Sequence, residues 1–235
     1  MNKHILLFLF FIGLGCQVKA QQVINRPDIC PACVQYNYPE FQTIKDTITQ
    51  NTYIETYIVL GGEVQKGAPH FDRKTTPFHA DPGQMDLKKD YYKSGYAIGH
   101  INSAKNNAYS LKSLTHSMLY VNTDRQQQSM NAGPWLGLEN HERDEAIRLD
   151  SIYVKAGVYG NIGYTNSPHH VGIAKLWWKA LCYKDSTVVW VMPNIKMPQH
   201  TSDYVKFKKS LKYLTDTLHV DVNAINKPER FTARK

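Results

Sequence analysis

Apolar and polar side chains alternate through Tyr53-Ile54-Glu55-Thr56-Tyr57-Ile58-Val59-Leu60, which predicts a strand that Gly61-Gly62 ends. A shorter apolar stretch, Tyr96 to Ile101, predicts a second strand, and Ser117 to Asn122 a third. Strand character returns at Ser151 to Tyr159, Ile173 to Cys182 and Ser186 to Met192. Between them the period changes. After Pro134, Trp135, Leu138, Ala146, Ile147 and Leu149 recur among charges at helical spacing, so residues 131–149 read as a helix. Tyr204 to Leu218 reads as another, basic on its exposed side. Residues 66–92 are loop-like, with Pro69, Pro77 and Pro82. Residues 21–50 are polar and proline-punctuated and read as an extended N-terminal arm, which leaves residues 51–235 as one domain without repeats or linkers. The economical architecture is α+β, with an antiparallel sheet as its core.

The first residues bear on compartment. Lys3 and His4 precede an almost unbroken apolar run from Ile5 to Leu14, and Val18-Lys19-Ala20 closes it with small residues. This is the layout of a signal peptide spanning residues 1–20, and it predicts a secreted or periplasmic protein. The apolar run is about half the ~20 residues of a membrane span, so no stable membrane span is expected. Gly15-Cys16 offers a competing lipoprotein route, ranked second because Gly13 fits poorly three residues before an acylated cysteine. Removing Lys3 and Lys19 lowers the formal charge from +8 to +6. A basic surface suits an anionic polymer, although solubility alone accounts for many such charges. Cys30, Cys33 and Cys182 remain. In an oxidising compartment Cys30 and Cys33 are disulfide candidates, with pairing to Cys182 as the alternative. No further ligands at zinc spacing accompany them.

Candidate chemistry concentrates between residues 95 and 143. His100 ends a short strand, Asn122 ends the next, and Asn131 opens the helix nine residues later. Steps of four residues drift only about 40° around a helix, so Asn131, Trp135, Glu139 and Arg143 share one face. Phosphodiester hydrolysis needs such groups: a base for water, a cation for developing charge and positive groups for the backbone. Histidine accepts a proton near neutrality, with an ordinary pKa of about 6.5. An asparagine carbonyl suits Mg²⁺, which keeps most of its waters. Each residue also has a plainer explanation. Asn131 suits a helix N-cap, and Glu139 with Arg143 suits an i,i+4 ion pair. His169-His170 follow Ser167-Pro168 in a loop and read as surface residues. No Gly-x-Ser-x-Gly elbow supports a serine hydrolase.

The segment Gly95-Tyr96-Ala97-Ile98-Gly99-His100-Ile101-Asn102-Ser103-Ala104 resembles the signature of the DNA/RNA non-specific endonucleases, the ββα-metal or His-Me-finger nucleases of the endonuclease G type. Tyr120-Val121-Asn122-Thr123 is similar to the strand end of that family. Met130-Asn131-Ala132-Gly133-Pro134-Trp135-Leu136-Gly137-Leu138-Glu139 is similar to its helix. Phe78-His79-Ala80-Asp81-Pro82 and Val189-Trp190-Val191-Met192-Pro193-Asn194 extend the likeness, as does Tyr213-Leu214-Thr215, over about residues 50–225.

The resemblance implies a ββα-metal motif, with His100 as general base and Asn131 as direct Mg²⁺ ligand. It further implies that Glu139 holds metal-bound water, Asn122 supports the site and Arg143 contacts substrate phosphate. Mn²⁺ is the alternative ion. The implied substrates are DNA and RNA, cut with little sequence preference. A homodimer and an inhibitor protein are partners left open. Two departures stand out. Ala97 and Ile98 replace an Asp-Arg pair of the family, and Thr75-Thr76 stand where it has an arginine, leaving Arg73 as the nearby substrate-binding candidate. With the base and metal ligand kept, tuned activity is expected. The alternative is a weakened or silent relative that binds nucleic acid or a protein.

Overall fold

The N-terminal segment folds as sheet. The computed structural model describes residues 22–67 and 75–225; the expected signal peptide and Arg73 lie outside the described residues. Within them β1 (Gln22–Asn25), β2 (Cys33–Asn37) and β3 (Phe41–Asp46) join β4 (Thr52–Leu60) in one antiparallel ladder. The arm expected over 21–50 is therefore corrected to three strands. Its prolines misled because Pro27, Pro31 and Pro39 all fall in the turns between strands, where no ladder N–H is needed. Cys30 and Cys33 form the expected disulfide across the β1–β2 turn.

The chain then leaves the sheet through α1 (Gly61–Gln65) and α2 (Lys88–Tyr91). β5 (Ala97–His100), α3 (Leu111–Ser117) and β6 (Thr123–Gln126) follow. A helical run comprises α4 (Gln128–Met130), a widened turn over Asn131–Trp135, and α5 (Leu136–Arg148). The sheet resumes with β7 (Ser151–Tyr164), β8 (Gly172–Cys182), β9 (Thr187–Pro193) and the short β10 (Lys208–Lys209). Its order is β1-β2-β3-β4-β7-β8-β9-β10, while β5 and β6 pair separately. The architecture is α+β on an antiparallel sheet. No helix among the described residues is long and apolar enough to cross a membrane.

Two further expectations change. Ser117 to Asn122 is not a strand: Ser110 caps α3 by accepting from the Ser113 N–H at 3.1 Å, and the ladder begins only at Thr123. The apolar run Met118 to Val121 is buried, with Leu119 and Val121 in the main core and an isolated bridge from Leu119 to His79 in place of a strand ladder. Tyr204 to Leu218 is not one helix either. A 3₁₀ segment over Thr201–Phe207 gives way to β10, whose Lys208 and Lys209 pair with Trp190 and Val189, before a helical turn over Tyr213–Thr217. Edge pairing with β9 outweighs local helix propensity there.

The sheet is covered on both faces, so its strands bury alternate residues in different cores. Trp178, Ala180, Ile44, Ile54 and Val191 pack under Leu214, Leu218 and Val220 of the C-terminal segment. Trp177, Leu181, Tyr57, Val59, Val154 and Phe41 pack under Trp135, Leu138 and Ile101. Fully burying a large apolar side chain contributes about 1.5–3 kcal/mol, so the adjacent Trp177 and Trp178 anchor both layers. The face toward α5 also carries charge. Lys45 is fully buried, donating to Thr52 Oγ1 at 3.0 Å and to the Thr123 carbonyl at 2.7 Å, and burial lowers its pKa to about 8. Burial pushes the carboxyl of Glu55, also fully enclosed, well above the usual range.

Two consequences can be measured. A Cβ on Gly137 would overlap the Thr201 carbonyl oxygen, so Gly137→Ala should destabilise by about 1–3 kcal/mol, read as a lowered Tm. Because the folded pKa of Glu55 is raised, its stabilising contribution is complete below the ordinary value of 4.5 and is lost as pH rises toward the folded value. The Tm of Glu55→Gln relative to wild type should therefore rise between pH 4.5 and pH 7. A difference that stays flat across that window would show that Glu55 ionises normally.

Candidate active site

The hairpin of β5 and β6 pairs Ile98 with Arg125, Gly99 with Asp124 and His100 with Thr123. His100 therefore closes the hairpin, with 6 % of its surface exposed and its ring centroid 4.9 Å from that of Phe78. The next residues are held by Asn122. Its Oδ1 accepts from the Asn102 N–H at 2.8 Å, and its Nδ2 donates to the carbonyls of Asn102 (2.9 Å) and Ser117 (2.7 Å). The Asn122 carbonyl in turn accepts from the Ile101 N–H at 3.0 Å. Asn122 is fully buried, so it braces the backbone behind His100.

Asn131 lies within the helical run instead of capping it. Its dihedrals are helical (φ −59°, ψ −48°), and its N–H donates to the Gln127 carbonyl at 2.9 Å. The widened turn that follows has a local cause. Pro134 cannot donate to the preceding turn, and a residue before proline avoids the helical region; Gly133 leaves it, at φ −111° and ψ −113°. Asn131 stays half-buried at this turn, while Trp135 is fully buried edge-on to Trp177 with centroids 5.0 Å apart. Such widened turns recur at functional sites.

One and two turns further on, Glu139 and Arg143 meet the loop that follows His100. Ser103 Oγ donates to Glu139 Oε2 at 3.2 Å. Arg143 Nη1 donates to Ser103 Oγ at 3.4 Å and to Asn106 Oδ1 at 3.3 Å, while Nη2 donates to Asn140 Oδ1 at 2.5 Å. Both residues are largely enclosed. Burial raises the Glu139 carboxyl above its usual range, opposed by the charges of Lys179 and Arg143. The structure thus gathers Asn122, Glu139 and Arg143 around the His100 loop, while Asn131 lies at the head of the helical run, before the widened turn. Arg143 ties helix to loop rather than standing free in solvent.

The donor set suits a hydrated divalent ion. Asn131 offers a neutral carbonyl at a half-buried turn, and Glu139 a carboxylate on the helix that follows. Among the described residues no three or more His, Cys, Asp or Glu side chains converge as a metal cage. An ion here would keep most of its waters, as Mg²⁺ does.

Sequence reasoning missed two arrangements. Asp124 and Arg125 stand directly across the ladder from the positions around Ile98, yet both are fully buried. Arg125 donates to the carbonyls of Gly172 and Gln50, each at 2.9 Å, and Asp124 Oδ2 accepts from the Thr52 N–H at 2.8 Å. They fasten the hairpin to the main sheet. The charged dipeptide was visible, but nothing in its spacing said that it points inward. In the second, the His169 ring Nδ1 lies 2.7 Å from Oδ2 of buried Asp90, and Ser167 Oγ donates to Oδ1 at 2.7 Å. This clamp holds the β7–β8 turn against α2, with the His169 side chain still 41 % exposed.

A mitochondrial nuclease EXOG from Xenopus laevis is 30% identical over 90 residues, which cover 37% of this chain and 25% of that protein. The human protein of the same name is 30% identical over 90 residues, covering 37% of this chain and 24% of its own length. The matched region thus spans about a quarter of these relatives. A chain in the crystal structure of the EndoG/EndoGI complex shares the fold, with a TM-score of 0.70 at 19% identity over 82% of this chain and 86% of that one. The profile of the DNA/RNA non-specific endonucleases matches residues 30–230, and the chain belongs to that family.

Proposed function

We propose that this protein is an exported, metal-dependent endonuclease that hydrolyses phosphodiester bonds in DNA and RNA with little sequence specificity. The observation that carries the reading is the locking of the His100 loop, which Asn122 braces from behind, to the helix that bears Glu139 and Arg143, through the Ser103–Glu139 and Arg143–Asn106 hydrogen bonds. His100 takes the proton from the attacking water. Phe78 packs on its ring and limits its rotation. Asn131 would hold the ion directly and Glu139 would hold it through water. When bound, Mg²⁺ (or Mn²⁺) supplies positive charge to the phosphate and to the leaving oxygen. Arg143 keeps the loop closed and offers its remaining N–H groups to phosphate; Arg73 is the second proposed phosphate contact.

The apolar run from Ile5 to Leu14 and the Cys30–Cys33 disulfide both favour an oxidising, extracytoplasmic location. A protein inhibitor is a further proposed partner, because the neighbouring fold is one crystallised with EndoGI. A second reading, a weakened or silent relative, is favoured by one observation: Ala97 and Ile98 leave the His100 strand without the Asp-Arg charges of the family signature.

Incubation with plasmid DNA and with RNA, in Mg²⁺ or EDTA, separates the two. The wild type should cut both in Mg²⁺ and neither in EDTA. His100→Ala should lose about 10²–10⁴-fold in rate, the usual range for a removed general base, and Asn131→Ala should lose activity that high Mg²⁺ partly restores. No metal-dependent cleavage by the folded wild type would favour the silent relative.

A further inference from the structure

Glu142 and Lys179 belong to no part of the chemistry above, and both are fully buried. Glu142 Oε2 accepts from Lys179 Nζ at 2.5 Å and from the Tyr57 hydroxyl at 3.2 Å, while its Oε1 accepts from Asn106 Nδ2 at 2.7 Å. The partners come from three places. Lys179 rises from β8 and Tyr57 from β4, whereas Asn106 lies in the loop after His100. The Tyr57 hydroxyl is also 3.3 Å from the carbonyl of Ile101, the residue next to His100. Asn106 reaches Asn102 Oδ1 at 3.2 Å and receives Arg143. Lys179 Nζ lies 4.8 Å from the centroid of Trp135, which ends the widened turn that Asn131 begins.

We propose that the buried Glu142–Lys179 pair sets the register between the His100 loop and the Asn131–Glu139 helix, so that both are positioning residues for the nuclease reaction. The proposal rests on the function read above. One carboxylate joins α5 to the loop through Asn106 and to the sheet through Lys179 and Tyr57. Lys179 supports the head of the helix through Trp135 and its middle through Glu142. An ion pair that merely filled space would behave differently. Replacing both members of a buried pair with neutral groups of similar shape is often harmless to stability, whereas removing one leaves an uncompensated buried charge. Stability and register can therefore be separated.

The test is the double variant Glu142→Gln/Lys179→Met, which keeps volume and removes both charges. Its Tm should stay within about 5 °C of wild type. Its kcat should fall about ten-fold or more while KM for an oligonucleotide changes less than about two-fold, the signature of an interaction made in the transition state. Mg²⁺ affinity by calorimetry should weaken, and amide exchange over residues 101–107 should quicken relative to β7 and β8. Wild-type kcat, Mg²⁺ affinity and exchange in the double variant would overturn the proposal. So would a loss of rate that merely matches a loss of folded protein.

Should the double variant not fold, Tyr57→Phe carries the same readouts, because it deletes one hydroxyl from the node. It should show a several-fold loss in kcat at unchanged KM and faster exchange over 101–107; wild-type values there would also overturn the proposal. If the wild type itself shows no metal-dependent cleavage, the function reading fails separately. Calorimetry and exchange then still decide whether the pair sets the register.

Discussion

Charge buried between the sheet and the helical layer is the constraint on which the rest of the molecule depends. Lys45 and Lys179 rise from the inner face of the sheet into a region closed to solvent. Leaving one such charge without compensation costs several kcal/mol, a large fraction of the 5–15 kcal/mol that holds a domain folded. The compensating groups come largely from the segment that carries the candidate site. Lys45 reaches the carbonyl of Thr123, the ladder partner of His100, and Lys179 reaches Glu142. Sliding the hairpin or α5 along the sheet would break these contacts together, so packing and polar pairing fix the motif in one place. Apolar side chains alone would tolerate more slippage, since their attraction has no direction.

How far the sequence reveals this depends on the kind of signal. Alternation marked β4, β7, β8 and β9, because each is long and bounded by turn residues. Helical period marked α5, and His100 with the spacing from Asn122 to Asn131 and Glu139 suggested the candidate site. What was hidden were the positions where tertiary pairing overrides local preference. Pro27, Pro31 and Pro39 suggested an arm, yet the short runs between them find strand partners. Lys208 and Lys209 looked like the exposed side of a helix and instead pair with β9. Lys45 and Lys179 are the deeper case. A lysine in a strand ordinarily faces solvent, and only a second layer above the sheet reveals that these two point inward.

Asp124 and Arg125 show the same limit at the site itself. Strand β5 lacks the charged pair that the signature leads one to expect, and an Asp-Arg pair stands on the opposite strand of the hairpin. Proximity invites the idea that the charge has simply moved across the ladder. Its environment argues otherwise. Arg125 donates to the carbonyls of Gln50 and Gly172, and its guanidinium lies 5.5 Å over the Tyr91 ring. A fully buried guanidinium fastened to three neighbours is not available to a phosphate in solution. The pair replaces a surface charge in sequence but serves attachment in structure, joining the hairpin to the β3–β4 turn and to the start of β8.

The two halves of the candidate site are therefore supported unequally. The loop after the proposed base and the helix α5 are held by a continuous set of buried hydrogen bonds, from Asn122 through Asn102 and Asn106 to Glu142, with Ser103 on Glu139 beside it. The groups that would grip substrate are fewer: Ile98 is apolar, Arg125 is enclosed and Arg143 is partly engaged within the protein. Interactions made only in the transition state raise the rate of the chemical step, whereas uniform phosphate contacts lower KM. A molecule that preserves the first and thins the second should differ from a fully charged relative mainly in how tightly it holds nucleic acid, and less in how fast a correctly bound phosphodiester reacts. On this argument the missing Asp-Arg pair is a change in grip, and it leaves the proposed chemistry where the buried network has placed it.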